Sequence, residues 1–170
     1  MLFLYNPTAG KGRVTADLAA VLDVFTKAGY LTTVYPTQGK ADATRIAAEL
    51  GGQFDRVVCS GGDGTLSETV SGLMQLDHPP VLGYIPFGST NDCATTLRLP
   101  RDPVKAAQTA SETGVPRPWD IGRLNGRPFV YVAAFGAFTD VAYSTPQPVK
   151  NIFGHLAYVL EGATRLGIHL

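Results

Sequence analysis

Arg56-Val57-Val58-Cys59-Ser60-Gly61-Gly62-Asp63-Gly64-Thr65-Leu66 is an apolar run that breaks into three glycines around one aspartate. Residues 56–60 predict a buried strand, and residues 65–73 a helix behind it. Glycines at this junction let the backbone approach a phosphate closely, and successive N–H groups can form an anion-binding concavity. The N-terminus of the following helix adds partial positive charge at the same spot. Asp63 would repel a phosphate directly, so a bridging Mg²⁺ or a water network is physically natural there. The plainer alternative is a tight strand-to-helix turn with Asp63 or Thr65 as N-cap.

The pattern repeats outward from this stretch. Residues 2–5 form a short apolar strand ended by Asn6-Pro7. Val14, Leu18, Val21, Leu22 and Phe25 recur at helical spacing, with Gly29 as a C-terminal stop. Residues 32–35 read as a strand closed by Pro36, and residues 42–50 as a helix ending in Gly51-Gly52. Residues 81–85 give a fourth strand, residues 92–97 a short helix, and residues 103–111 another. Strands alternating with helices predict βαβ units and a mainly parallel sheet covered on both faces. Near-continuous apolar strands agree with that. Ligands of such sheets bind beyond the carboxyl ends of the strands, where Asn6, Gly61 and Gly88 all lie.

Two further loops carry polar groups to that edge. Pro86-Phe87-Gly88-Ser89-Thr90-Asn91-Asp92 follows a strand and opens a helix, with side chains able to reach a phosphate or a metal-bound water. Asn91 or Asp92 as a simple cap competes with that role. Asn6-Pro7-Thr8-Ala9-Gly10-Lys11-Gly12 lacks Walker A spacing, so the pattern gives Lys11 no P-loop role, and a flexible turn explains it nearly as well.

After residue 115 the character changes. Pro116-Arg117-Pro118 interrupts the helical pattern, and Trp119-Asp120-Ile121-Gly122 leads into a hairpin with Asn125-Gly126 at its tip. Residues 129–134 and 138–143 are β-rich, and residues 152–166 predict a last helix. The expected division is a nucleotide-binding α/β domain over residues 1–118 and an incomplete β-rich second domain over residues 119–170.

Lys plus Arg and Asp plus Glu number 14 each among 170 residues, so nothing suggests a nucleic-acid partner. Cys59 and Cys93 read as reduced, mostly buried thiols without metal-ligand spacing. His78, His155 and His169 are scattered and suit solvent or packing roles. No apolar run approaches the ~20 residues of a transmembrane span, and the expected location is cytoplasmic.

Together these loops resemble the diacylglycerol kinase catalytic-domain family, in particular its soluble bacterial lipid kinases. The likeness runs through Asn6-Pro7-x-x-Gly10-Lys11, Gly61-Gly62-Asp63-Gly64-Thr65-Leu66-x-Glu68 and Pro86-x-Gly88-x-Thr90-Asn91-Asp92-x-Ala94. It continues through Asp120-Ile121-Gly122 and residues 143–158, which include Lys150. The Gly-Gly-Asp-Gly-Thr element is shared with NAD kinases and phosphofructokinase-like folds; Gly-x-Thr-Asn-Asp narrows it to lipid kinases. The fold implied is a Rossmann-like (NAD kinase/phosphofructokinase-like) α/β domain followed by a β-sandwich domain, with the active site in the cleft between.

The resemblance implies ATP-dependent phosphorylation of a lipid hydroxyl, with diacylglycerol as acceptor and phosphatidic acid as product. Asp63, Asp92 and Asp120 are implied to form a carboxylate–water–Mg²⁺ network near the phosphates. Asn6, Gly10, Gly61, Gly62, Gly64, Thr65, Glu68, Gly88, Thr90 and Asn91 are implied at the nucleotide, with Lys11 and Lys150 as basic groups. The lipid would be met transiently at the inner membrane face, and the family reading leaves room for a homodimer. Family members run on for a hundred or more residues, so the general base and the ligands of a structural Mg²⁺ are expected outside this chain. On that expectation the chain alone is a poor kinase. An NAD kinase-like enzyme and a non-catalytic nucleotide-binding fragment are the alternative readings. The kinase reading also expects Asp63→Ala, in a complete protein, to lower turnover by orders of magnitude while leaving the fold intact.

Overall fold

Apolar residues on both sides of a strand need cover on both faces, and the computed structural model, described here over residues 1–131, supplies it. Four strands, β1 (Leu2–Tyr5), β2 (Thr33–Pro36), β3 (Arg56–Gly61) and β4 (Val81–Pro86), form one sheet in the order β2-β1-β3-β4, every pair parallel. The helices are α1 (Arg13–Lys27), α2 (Asp42–Leu50), α3 (Asp63–Leu73), α4 (Asp92–Thr96) and α5 (Pro103–Gln108). This is the Rossmann-like arrangement expected from the sequence.

Strand alternation divides the core. Phe3, Tyr5, Val58 and Ile85 face one way and pack with Val21, Val24 and Phe25 of α1 and Ala106 and Ala107 of α5. Leu2, Leu4 and Val57 face the other way, against Ile46 and Ala47 of α2 and Leu73 of α3. Cys59 and Tyr84 extend that second face beneath Leu66, Val70, Cys93 and Ala94. Gly72 lets α2 and α3 meet at backbone distance, since a Cβ there would lie 2.3 Å from the Thr44 carbonyl oxygen.

The sheet grows from β1 outward to β2, then returns to place β3 on the other side of β1. Connections leaving β1 and β3 therefore diverge, which opens a crevice between their carboxyl ends. Arg56 braces the opposite end of the sheet. Its guanidinium donates to the Tyr30 hydroxyl at 3.1 Å and to the Ala110 carbonyl at 2.7 Å.

Beyond shifts of one residue at the ends of β3, β4 and α4, the boundaries of three elements differ from the sequence expectations. α3 begins at Asp63 rather than residue 65, because Gly62 is its N-cap and the glycine turn is one residue long. α5 ends at Gln108 and continues as a wider π turn over Thr109–Thr113. β2 begins at Thr33 and includes Pro36, which pairs with Tyr5 at the sheet edge. The hairpin appears as β5 (Gly122–Leu124) and β6 (Arg127–Phe129), with Asn125 and Gly126 both at positive φ as a type I′ turn requires. Residues 132–134 of the β-rich stretch, the stretch 138–143, the helix over 152–166, Lys150, His155 and His169 lie outside the described residues.

Candidate functional site

The three loops expected at one edge do meet there. Gly10 is in the left-handed region at φ 59°, and a Cβ on it would stand 2.8 Å from the Phe87 carbonyl oxygen, so the first loop rests on the third. A Cβ on Gly88 would lie 2.5 Å from the Cα of Gly62, and one on Gly62 would lie 3.2 Å from the Cα of Gly88. These two loops touch backbone to backbone, and only glycine fits at the contact. The Phe87 N–H donates to the Gly61 carbonyl at 2.7 Å and closes the seam.

Asp63 answers the charge problem its position raises. Its carboxylate accepts from the backbone N–H of Asp92 at 3.1 Å and of Cys93 at 3.2 Å. The side chain thus belongs to α3 and caps α4. The first amides of α4 are consumed internally, whereas α3 starts at Gly62 with no side-chain cap. Between α3 and α4, α3 is the one whose first turn presents uncapped amides. A Cβ on Gly64 would meet nothing within 4 Å, so that turn is also open above.

Asn91 works on its own loop. Its Oδ1 accepts from the Gly88 N–H at 2.8 Å, its Nδ2 donates to the Gly88 carbonyl at 2.7 Å, and its backbone sits at φ 54°. Asn6 is similar: its Oδ1 accepts from the Thr8 N–H at 3.0 Å and the Thr8 hydroxyl at 2.8 Å, which sets the turn after β1. Thr65 is buried over Gly61, where a Cβ would collide with the Thr65 hydroxyl.

Lys11 is exposed, between Gly10 and Gly12, and all three adopt positive φ. Thr90 is half-buried beside Asn91. Glu68 turns away toward α2, where its carboxylate accepts from the Ala41 N–H at 2.9 Å. Asp120 is exposed ahead of the hairpin and makes no hydrogen bond among the described residues. Lys150 lies outside them.

Asp63 and Asp92 are therefore brought together, and Asp120 is not joined to them by any described contact. No group of three or more His, Cys, Asp or Glu among the described residues is placed to hold a metal ion directly. Each oxygen of Asp63 accepts one amide and keeps a further lone pair, so the carboxylate fits contact through a metal-bound water.

Sequence reasoning missed Tyr84. Its buried hydroxyl reaches the Gly61 carbonyl at 3.2 Å and Asn91 Oδ1 at 3.3 Å. Burial pushes its phenol pKa upward, with Cys59, Asp63 and Cys93 adding to the effect. A hydroxyl in the otherwise apolar run Val81-Leu82-Gly83-Tyr84-Ile85, two residues before the loop, was the available signal.

The diacylglycerol kinase catalytic domain matches residues 1–124. The chain is 43% identical over 164 residues to a diacylglycerol kinase of Bacillus subtilis, covering 96% of this chain and 54% of that one. It is 41% identical to a diacylglycerol kinase of Staphylococcus saprophyticus, covering 94% and 52% respectively. A crystal structure of a diacylglycerol kinase from Bacillus anthracis superposes with a TM-score of 0.69 at 32% identity, over 75% of this chain and 47% of that one. The chain spans about half the length of these relatives. Among the described residues, no helix is long and apolar enough to cross a membrane.

Proposed function

Because the chain belongs to the diacylglycerol kinase catalytic-domain family, we propose that it is the nucleotide half of a kinase that transfers the γ-phosphoryl group of ATP to a lipid hydroxyl. Diacylglycerol is the acceptor on this reading and phosphatidic acid the product. The observation that carries it is the Gly62–Gly88 backbone contact beside the uncapped first turn of α3. That is a glycine-lined surface with amide donors just beyond the carboxyl ends of β3 and β4, and phosphoryl groups are bound in such places.

Phosphoryl transfer asks the protein mainly for positioning and charge neutralisation. The amides of the first turn of α3 hold phosphate oxygens, and Gly64 leaves room for them. Asp63 holds α4, and with it Asn91 and Gly88, in register with that turn. Lys11, on a loop resting against Phe87, brings an ammonium toward the phosphates from the β1 side. Mg²⁺, arriving with the nucleotide, would screen the charge that develops on the phosphate oxygens. The lipid oxygen bonds to the γ-phosphorus as the bond to the β-bridging oxygen breaks, ADP leaves, and the hydroxyl proton passes to a base. No described side chain is assigned as that base.

The division into a nucleotide domain over residues 1–118 and a β-rich unit from residue 119 belongs to the same reading. So do a cytoplasmic location, transient contact with a membrane surface and a homodimer. On this reading the 170-residue chain binds ATP. The test has two parts. Calorimetric titration of this chain with ATP and Mg²⁺ should show saturable binding. The full-length protein containing it should move ³²P from the γ-position of ATP to diacylglycerol in mixed micelles. Phosphorylation of NAD instead of diacylglycerol would overturn the lipid reading.

A further inference from the structure

Among the described residues, Tyr84 is the one side chain whose hydroxyl lies between the end of β3 and the loop after β4. It rises from β4 inside the cluster of Cys59, Leu66, Val70, Cys93 and Ala94 and is 7% exposed. A phenol has a single proton to donate, and here it lies between two acceptors: the Gly61 carbonyl and Asn91 Oδ1. Each acceptor is already bonded within the seam. Gly61 accepts from Phe87 N–H, and Asn91 accepts from Gly88 N–H. The phenol adds the tie between them, joining the end of β3 to the side chain that fixes Gly88.

We infer that Tyr84 is a positioning residue for polyphosphate binding, its hydroxyl setting the spacing at which Gly62 and Gly88 present their backbones to a nucleotide. The inference rests on the nucleotide-binding reading above and adds a residue to it. It follows from what Tyr84→Phe would remove. Gly61 and Asn91 would both keep their backbone donors, so no buried acceptor is orphaned and the fold survives. Only the tie between the loops is lost. A ligand gripping one loop would be nearly indifferent to that, whereas a triphosphate lying across both would not.

The test compares Tyr84→Phe with the unaltered 170-residue chain by calorimetric titration with ATP and with adenosine, both in the presence of Mg²⁺. ATP affinity should fall about three- to tenfold, the range for losing one hydrogen bond, while adenosine affinity stays within twofold. Cys59→Ala serves as the control, because it opens space in the same cluster and lowers the melting temperature without touching the hydroxyl. Its ATP affinity should match that of the unaltered chain. Equal loss for ATP and adenosine, equal loss in Cys59→Ala, or no loss in Tyr84→Phe would each overturn the inference while leaving the nucleotide reading intact. Failure of the unaltered chain to bind ATP would remove that reading, and this inference with it.

Discussion

The Asp63 carboxylate accepts the backbone N–H of Asp92 at 3.1 Å, so a residue in the first turn of α3 serves as the cap of α4. With the Cys93 N–H at 3.2 Å on its other oxygen, this is a two-pronged bond between elements 29 and 30 residues apart. Sequence alone expects Asp63→Ala to touch chemistry and spare the fold. The geometry adds a structural cost of about 1–2 kcal/mol, the ordinary consequence of losing a cap. Urea unfolding of Asp63→Ala should show a lower midpoint at unchanged slope. Asp63→Asn, which keeps one acceptor oxygen, should fall between it and the unaltered chain. Identical midpoints for all three would show that the bonds carry no stability.

The glycines of the site should separate into two kinds. A Cβ at position 64 meets nothing within 4 Å, and alanine is a better helix former than glycine by up to about 1 kcal/mol. Gly64→Ala should therefore raise the melting temperature or leave it alone. It should also weaken ATP binding about tenfold or more, because the new methyl stands where phosphate oxygens approach. Gly88→Ala meets the Cα of Gly62 at 2.5 Å and should cost about 1–3 kcal/mol of stability as overpacking. Thermal melts and ATP titrations on the two variants check both halves. A Gly64→Ala chain that binds ATP normally would move the phosphates away from α3.

Much of the fold was legible because its signals are local. β1 follows from four consecutive apolar residues bounded by Asn6-Pro7, α2 from its periodicity and the glycines after it, and the hairpin from Asn125-Gly126. The convergence of three loops followed from the βαβ alternation. What each polar side chain does at that edge was not legible. Asn6 and Asn91 satisfy backbone groups in their own turns, Asp63 reaches about thirty residues along the chain to α4, and Glu68 turns toward Ala41, the N-cap of α2. Hydrogen bonds between elements depend on how helices pack, and no spacing rule encodes that. Glu68 illustrates it: its place in the motif suggests the nucleotide, while its carboxylate closes the start of a neighbouring helix.

Alkaline pH should destabilise the protein. Burial in the cluster beneath α3 pushes the Cys59 thiol up to about 12. Cys93 moves upward through burial and the nearby Asp63, and Tyr84 upward mainly through burial. In the unfolded chain the thiols release their protons near pH 8.5 and the phenol near 10. Above those values the unfolded state binds fewer protons than the folded one, so stability falls with rising pH. It is fully present below about pH 8.5 and declines toward pH 12, at up to about 1.4 kcal/mol per pH unit for each group still protonated in the fold. Melting temperatures between pH 7.5 and 10.5 should trace this decline, and Cys59→Ala should make it shallower. A flat profile would mean that these groups are not sequestered.

Lys11 offers the sharpest separation of stability from binding. At φ 62° and ψ 34° it holds a left-handed conformation between two glycines that do the same. For a residue with a Cβ that conformation costs about 1–2 kcal/mol. Lys11→Gly removes the strain together with the ammonium, while Lys11→Ala removes the ammonium and keeps the strain. Glycine also makes the unfolded chain more flexible, which returns part of the gain. Lys11→Gly should consequently be more stable than Lys11→Ala by up to about 1 kcal/mol, read from urea midpoints. If the ammonium faces the phosphates, both variants should lose ATP affinity by a similar factor, about five- to tenfold at low salt, with the difference from the unaltered chain shrinking as ionic strength rises. Equal ATP affinity in all three chains would assign Lys11 to solvent. A loss in Lys11→Ala alone would assign the effect to the loop's backbone and not to its charge.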